Sequence, residues 1–303
     1  MRNQSQSSWA ILSVGIAAIV HFALGFSIEF SVDEAHYALY AQNLALSYFD
    51  HPPLVGWIQW PIIKLTQSEG LIRIIPELLW ILSVYLVYQV TTEMYRWMQA
   101  GKAEHASNVT PSANQCGLLA VLAIMVAPLP HVLAIGLLPD TLLAPISLAI
   151  MIMALRWLRK DQFNILDWIV LGVLLGLAGL SKYTAAFTAL AFLGILLITP
   201  KKPWLTTGGF WLAAVIALLL ISPVLYWNLV NDWISFKYQL AHGGGSSWAW
   251  RRVAAYLGIQ VACFGPLLIL GAILFFKNGL SAHQRLVIVL FGFFAIPFLI
   301  FTA

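Results

Sequence analysis

This chain is poor in charge. Asp, Glu, Lys and Arg supply only 9% of its 303 residues, where a soluble domain carries about 25%. Hydrophobic residues make up 61% and the mean hydropathy is +0.85, which excludes a water-soluble domain or a disordered chain and leaves a membrane protein. The net charge of +4 is scattered over short loops and not gathered on one face, so nucleic acid is excluded as a partner. Cysteine is nearly absent: Cys116 and Cys263 are the only two, far apart in apolar runs, which excludes a disulfide framework and leaves packed thiols. Gly243-Gly244-Gly245 is not followed by Gly-Lys-Ser/Thr, and no dinucleotide fingerprint occurs, so no nucleotide cofactor is expected.

What is present is a series of apolar stretches. A spanning helix needs about 20 mainly apolar residues, and nine stretches qualify: Trp9–Phe30, Leu71–Tyr95, Cys116–Pro130, Thr141–Trp157, Leu166–Leu180, Tyr183–Thr199, Leu205–Trp227, Val253–Phe276 and Leu286–Phe301. They predict an all-α, polytopic helical bundle forming one membrane domain over residues 1–303. The first stretch fits a retained signal anchor better than a cleaved signal peptide, because its apolar run continues past the weak small-residue site at Ala23-Leu24-Gly25. With the N-terminus in the cytoplasm, ten of the sixteen basic residues fall inside, while eight of the twelve acids fall outside or at the outer boundary. The reading is a multi-pass inner-membrane protein with two long outer loops, at about 31–70 and 228–252.

The first outer loop interrupts the apolar pattern with SVDEAHYALYAQNLALSYFDHPPLVGW. Tyr37, Tyr40, Leu44 and Tyr48 recur at helical spacing and predict an amphipathic helix lying in the interface. His51-Pro52-Pro53 breaks it, and a second interfacial segment follows over Leu54 to Leu65. Ser31-x-x-Glu34 has the form of a capping box, and an acid at Asp33 suits the positive end of a helix. The capping box does not account for further ionisable groups at the same level: Asp50 and His51, Asp140, for which Pro139-Asp140-Thr141 also reads as a helix start capped by Asp140 or Thr141, and Asp232, Lys237, His242, Arg251 and Arg252 in the second loop. Such convergence from separate loops marks a site. Lys182, a lone ammonium at the outer turn between two apolar helices, needs lipid headgroups or another anion. His21, within the first stretch, reads either as a satisfied core histidine or as a polar contact to a ligand headgroup.

In these residues the chain resembles the polyprenyl-phosphate-dependent glycosyltransferases of the GT-C class, which include protein O-mannosyltransferases and lipid A aminoarabinose transferases. The resemblance lies in DEAHYALYAQNL followed by SYFDHPPL, then LLPDTLLAPISLAIMIMALRW, GVLLGLAGLSKYTAAF and DWISFKYQLAHGGG, in that order. It implies an inverting enzyme that moves a sugar from an undecaprenyl-type phosphate donor to a lipid, glycan or protein acceptor on the outer face. Asp33, with Glu34 beside it, stands at the family's catalytic carboxylate. Lys182, Lys237, His51 and Arg251 are the expected donor-phosphate ligands, with membrane anchoring as the other reading of Arg251 and Arg252. Tyr37 and Asp140 are the expected substrate contacts.

Asp50 and His51 stand where aminoarabinose transferases carry a metal-binding glutamate and a lysine. A divalent ion held by Asp50 and His242 is therefore the expectation for a cofactor, while plain loop hydrogen bonding is the alternative for both. Gly243–Gly245 suits a mobile outer loop closing over substrate, and Gly172-x-x-x-Gly176 suits close helix contact. Two other functions compete with the transferase: a transporter or flippase of a lipid-linked or polar solute, and a structural subunit of an envelope complex. No internal repeat of the kind transporters show is visible. The chain ends at FLIFTA inside an apolar run, so a truncated form of a longer enzyme is expected.

Overall fold

The computed structural model describes residues 2–99, 112–158, 163–198, 208–244 and 249–265, with 271, 273 and 293, and the side chains within these ranges except 2–6, 195, 198 and 242–244. Among the described residues all regular structure is helical: α1 (Arg2–Ser27), α2 (Val32–Gln42), α3 (Leu54–Leu65), α4 (Glu69–Ile72), α5 (Ile74–Gln99), α6 (Ala113–Ile124), α7 (Pro128–Ile135), α8 (Pro139–Trp157), α9 (Ile165–Ser181), α10 (Ala185–Ile198), α11 (Gly208–Val230), α12 (Ile234–Gly244) and α13 (Trp250–Phe264). The protein is an all-α, multi-pass membrane protein. Four helices are long and apolar enough to cross a bilayer, and α6 with α7 makes a fifth if the bent pair is one span. The expected ninth span, 286–301, lies outside the described residues apart from 293, as does 266–276 of the eighth apart from 271 and 273.

Water would not tolerate this surface. Trp9, Ile11, Ile19, Trp211, Leu218 and Leu219 all project outward from α1 and α11, which suits lipid and not solvent. In lipid the helices gain little from burying apolar area against one another, so association depends on close packing. Glycines provide it between α9 and α11. A Cβ at Gly172 would lie 2.7 Å from the Ala213 carbonyl oxygen, and one at Gly176 would lie 2.5 Å from Leu220 Cδ1. The close contact expected of Gly172-x-x-x-Gly176 is therefore present. Beside it, Ile150, Leu155, Trp157, Trp168, Leu171 and Phe192 join α8, α9 and α10 in the main apolar core.

Two expectations for single elements need correction. The stretch Cys116–Pro130 is not one straight helix: α6 ends at Ile124, α7 begins at Pro128, and the two axes differ by 73°. Pro128 and Pro130 explain the break, since proline lacks an N–H and restricts the residue before it. The interfacial helix after Ser31 stops at Gln42 and does not run on to Tyr48. Tyr48 instead folds back, stacks on Tyr40 with centroids 3.6 Å apart, and donates its hydroxyl to the carbonyls of Tyr40 (2.7 Å) and Asn43 (3.0 Å). It thus satisfies carbonyls that the end of α2 leaves free. The second interfacial helix falls at Leu54–Leu65 as expected.

Connectivity places one set of helix ends together. The loop 28–73, the starts of α5 and α8, the turn between α9 and α10, and α12 form one end of the bundle. The ties across it are specific: Ser235 Oγ donates to the Tyr48 carbonyl (2.9 Å), Gln239 Nε2 donates to the Asp50 carbonyl (2.7 Å), and Ser47 Oγ lies 3.4 Å from Tyr183 OH.

Candidate active site

At this end the acids of the first loop take different places. Ser31 caps α2 by accepting from the Glu34 amide, and Glu34 Oε2 accepts in return from the Ser31 amide (2.9 Å). Glu34 is also clamped by Arg73: Nε to Oε1 is 2.8 Å and Nη2 to Oε2 is 3.1 Å. The remaining guanidinium hydrogens go to the carbonyls of Gly25, Ile28 and Glu29 at the end of α1. Arg73 therefore satisfies helix-terminal carbonyls and a carboxylate with one rigid fork. Glu34, expected beside Asp33 as a catalytic acid, is 8% exposed and has its oxygens engaged. Asp33 is exposed on the first turn of α2, with no hydrogen bond or ion pair among the described residues.

One turn further, Asp50 anchors a second cluster. Its Oδ1 accepts from the Tyr40 hydroxyl, and its Oδ2 lies 3.2 Å from His36 Nε2 and 3.1 Å from His51 Nδ1. Both imidazoles donate here, because an ionised carboxylate only accepts. Burial opposes ionisation of Asp50, yet the hydrogen bonds from His51 and Tyr40 outweigh it and hold the carboxyl well below the usual range. Tyr40 shifts the other way: burial first, then its bond to Asp50, pushes the phenol far up. Tyr37, its hydroxyl 3.5 Å from His51 Nδ1, is pushed up by burial and then by the negative charges of Asp50, Asp33 and Asp140. All three acids thus exert their fields on one phenol.

Asp140 and Lys182 form the third part. Asp140 lies in the first turn of α8 and Lys182 caps the end of α9. The Lys182 ammonium lies 2.7 Å from both Asp140 oxygens. The lone ammonium of the sequence reading therefore has an anion within the chain. Asp140 and Thr141 also border an apolar cavity of about 550 Å³ walled by α5, α6, α7, α8 and Phe264 of α13.

The remaining expected ligands are less gathered. Lys237 lies on α12, the helix tied to Asp50 through Gln239, but its side chain faces outward. Arg251 is exposed on the first turn of α13, and no described contact joins it to the cluster. The side chain of His242 lies outside the described residues, and so does Gly245 of the glycine triple. Among the described residues no three His, Cys, Asp or Glu side chains converge as metal ligands. Asp50 directs its oxygens to Tyr40, His36 and His51, and the other ligand expected for a divalent ion, His242, has its side chain outside the described residues.

Sequence reasoning missed His36, Tyr40 and Arg73 as members of this end. His36 and Tyr40 are four apart and share a helix face, a signal that was available. Arg73 gave none, because its partners lie 39 to 48 residues away in the chain.

The comparisons with known proteins belong beside this geometry. Residues 111–227 match the family model described as dolichyl-phosphate-mannose-protein mannosyltransferase. A curated relative, the lipid A galacturonosyltransferase RgtD of Rhizobium johnstonii, is 24% identical over 245 residues, covering 79% of this chain and 47% of its own. The chain thus spans about half the length of the relative it matches. No solved structure matches it. Both matches fall in the GT-C class of glycosyltransferases, the class the chain resembles, and the family match takes in LLPDTLLAPISLAIMIMALRW and GVLLGLAGLSKYTAAF but neither long outer loop.

Proposed function

We propose that the protein is an inverting membrane glycosyltransferase, which transfers a sugar from a polyprenyl-phosphate donor to an acceptor hydroxyl at the outer face of the membrane. The observation that carries this reading is the exposed Asp33, without a hydrogen bond or ion pair among the described residues, at the same bundle end as the Asp140–Lys182 pair, whose acid borders an apolar cavity. A donor of this kind needs three things: room for an isoprenoid, cations for a phosphate, and a free carboxylate near the sugar. The cavity beneath Asp140, Lys182, and Asp33 supply them in that order, in keeping with the GT-C matches.

In the proposed reaction Asp33 accepts the proton of the acceptor hydroxyl as its oxygen attacks the anomeric carbon. The bond from that carbon to the phosphate oxygen breaks, and its electron pair leaves on the phosphate. One displacement inverts the configuration, as at the base-assisted step of inverting glycosidases. Lys182 stabilises the departing phosphate, with His51, Lys237 and Arg251 as further donors that approach when substrate binds. Tyr37 and Asp140 contact the sugar. The relative's name supports a lipid acceptor and a uronic acid as the sugar.

The test is Asp33→Asn in the full chain, reconstituted with polyprenyl-phosphate sugar and lipid A, with transfer followed by mass spectrometry. Loss of transfer with donor binding retained is expected. Undiminished transfer by this variant would overturn the reading, as would solute transport by the native protein without any glycosyl product.

A further inference from the structure

Below the loop end, where lipid-facing helices leave little room for polar groups, three ionisable side chains meet. His21 of α1 is 5% exposed. Its Nδ1 lies 2.9 Å from Glu77 Oε2 of α5, and its Nε2 lies 2.8 Å from His131 Nδ1 of α7. His131 Nε2 in turn lies 3.0 Å from the Met125 carbonyl. That carbonyl stands at the C-cap of α6, beside the 73° break. The sequence left His21 open between core histidine and ligand contact; here its ring is taken up by Glu77 and His131.

Counting hydrogens decides what this chain of groups requires. It has three contacts, and each needs one hydrogen. The Met125 carbonyl only accepts, so His131 carries a proton on Nε2, and with both imidazoles neutral it presents a lone pair at Nδ1. His21 must then donate from Nε2. Two neutral imidazoles supply these two hydrogens and no more. The third contact, between His21 Nδ1 and Glu77 Oε2, closes only with one further proton, resident on the acid or on the imidazole.

We propose that Glu77, His21 and His131 form a buried proton-binding site whose single acidic proton latches α1 and α5 to the broken α6–α7 span. Removing that proton leaves one of the three contacts as lone pair against lone pair, whichever tautomers the rings adopt. The surroundings offer the site few other hydrogen-bond partners. Among the described residues Glu77 Oε1 and Trp80 Nε1 are buried without partners, and the Trp80 ring meets His21 edge-on at 4.7 Å. Arg73, the one fixed cation bordering this site among the described residues, has its hydrogens committed to Glu34 and to the end of α1. A cavity of about 10 Å³, at the size of one water, borders His21, Arg73 and Glu77.

The test uses the full chain in lipid nanodiscs, with the thermal unfolding midpoint measured across pH. The native midpoint is expected to fall by several degrees as pH rises through the site's titration. Glu77→Gln supplies the third hydrogen from an amide that does not titrate, so its midpoint is expected to stay level over that range. Every other group is common to both proteins, so the difference between the two curves isolates Glu77. Equal falls in both would overturn the proposal. If Glu77→Gln does not fold, nuclear magnetic resonance of isotope-labelled histidine in the native chain decides instead, with signals assigned by their loss in His131→Gln. The Nε2–H form of His131 is expected, and its Nδ1–H form throughout would sink the latch.

Discussion

Arg73 and Glu34 are joined at two points, 2.8 and 3.1 Å, across 39 residues of sequence. Breaking a buried pair by removing one partner costs about 3–5 kcal/mol, because the other charge is left uncompensated. Glu34→Gln and Arg73→Met are therefore expected to lower stability by about that amount, measured by denaturant unfolding in micelles. Asp33→Asn, one residue away and exposed, is expected to leave stability within about 0.5 kcal/mol of native. Equal stability losses at positions 33 and 34 would contradict this division of labour.

Lys182 and Asp140 separate a charge effect from a packing effect. If Lys182 holds the donor phosphate, Lys182→Met removes a charge-assisted contact and weakens donor binding by about 10- to 100-fold. Asp140→Asn releases the ammonium from its internal anion, and binding of a polyprenyl phosphate without sugar is expected to tighten. Titration of both variants with that lipid reads the result. Weaker binding in Asp140→Asn would mean that the acid orients Lys182 and does not compete for it.

The aromatic cluster makes a prediction at each end of the pH scale. Asp50 has its folded pKa depressed, so its contribution to stability is present above the unfolded aspartate value of about 3.9 and is lost as pH falls through the lower folded value. Native protein is expected to lose stability more steeply in strong acid than Asp50→Asn. Tyr37 and Tyr40 are raised, burial being the first cause for both. The folded state therefore holds their protons above the unfolded value of about 10, and stability falls as pH rises past it. Phenolate absorbance from these two is expected only when the chain unfolds, which the Tyr37→Phe, Tyr40→Phe double variant would show by difference.

Gly172 and Gly176 face neighbours of different give. A methyl at Gly172 meets the Ala213 backbone, whereas one at Gly176 meets the Leu220 side chain. Overpacking of this kind costs about 1–3 kcal/mol. Gly172→Ala is expected at the upper end of that range and Gly176→Ala below it, by thermal unfolding. The reverse order would mean that α11 shifts as a body and that Leu220 does not.

Much of the loop end was legible because its signals are local. The capping box at Ser31, the proline break after His51, the interfacial helix Leu54–Leu65 and the start of α8 at Pro139-Asp140 all follow from residues a few positions apart. The end of α2 was not legible, because Tyr48 at helical spacing looks the same to a periodicity argument whether it continues a helix or folds back to cap one. The bend between α6 and α7 was signalled by its prolines, but the apolar run concealed it.

Composition and spacing by themselves determined that this chain lives in a membrane, that it is helical, and which short stretch collects its polar chemistry. Only the tertiary structure decided how the ionisable groups are paired: Asp33 without a partner among the described residues while Glu34 is bound to Arg73, Lys182 matched to Asp140, and Glu77 joined to His21 and through it to His131. The physical reason is that hydropathy and periodicity are properties of neighbours along the chain. A charge in a low-dielectric bundle is governed by whichever partner the packing brings within about 3 Å, and that partner is often on another helix.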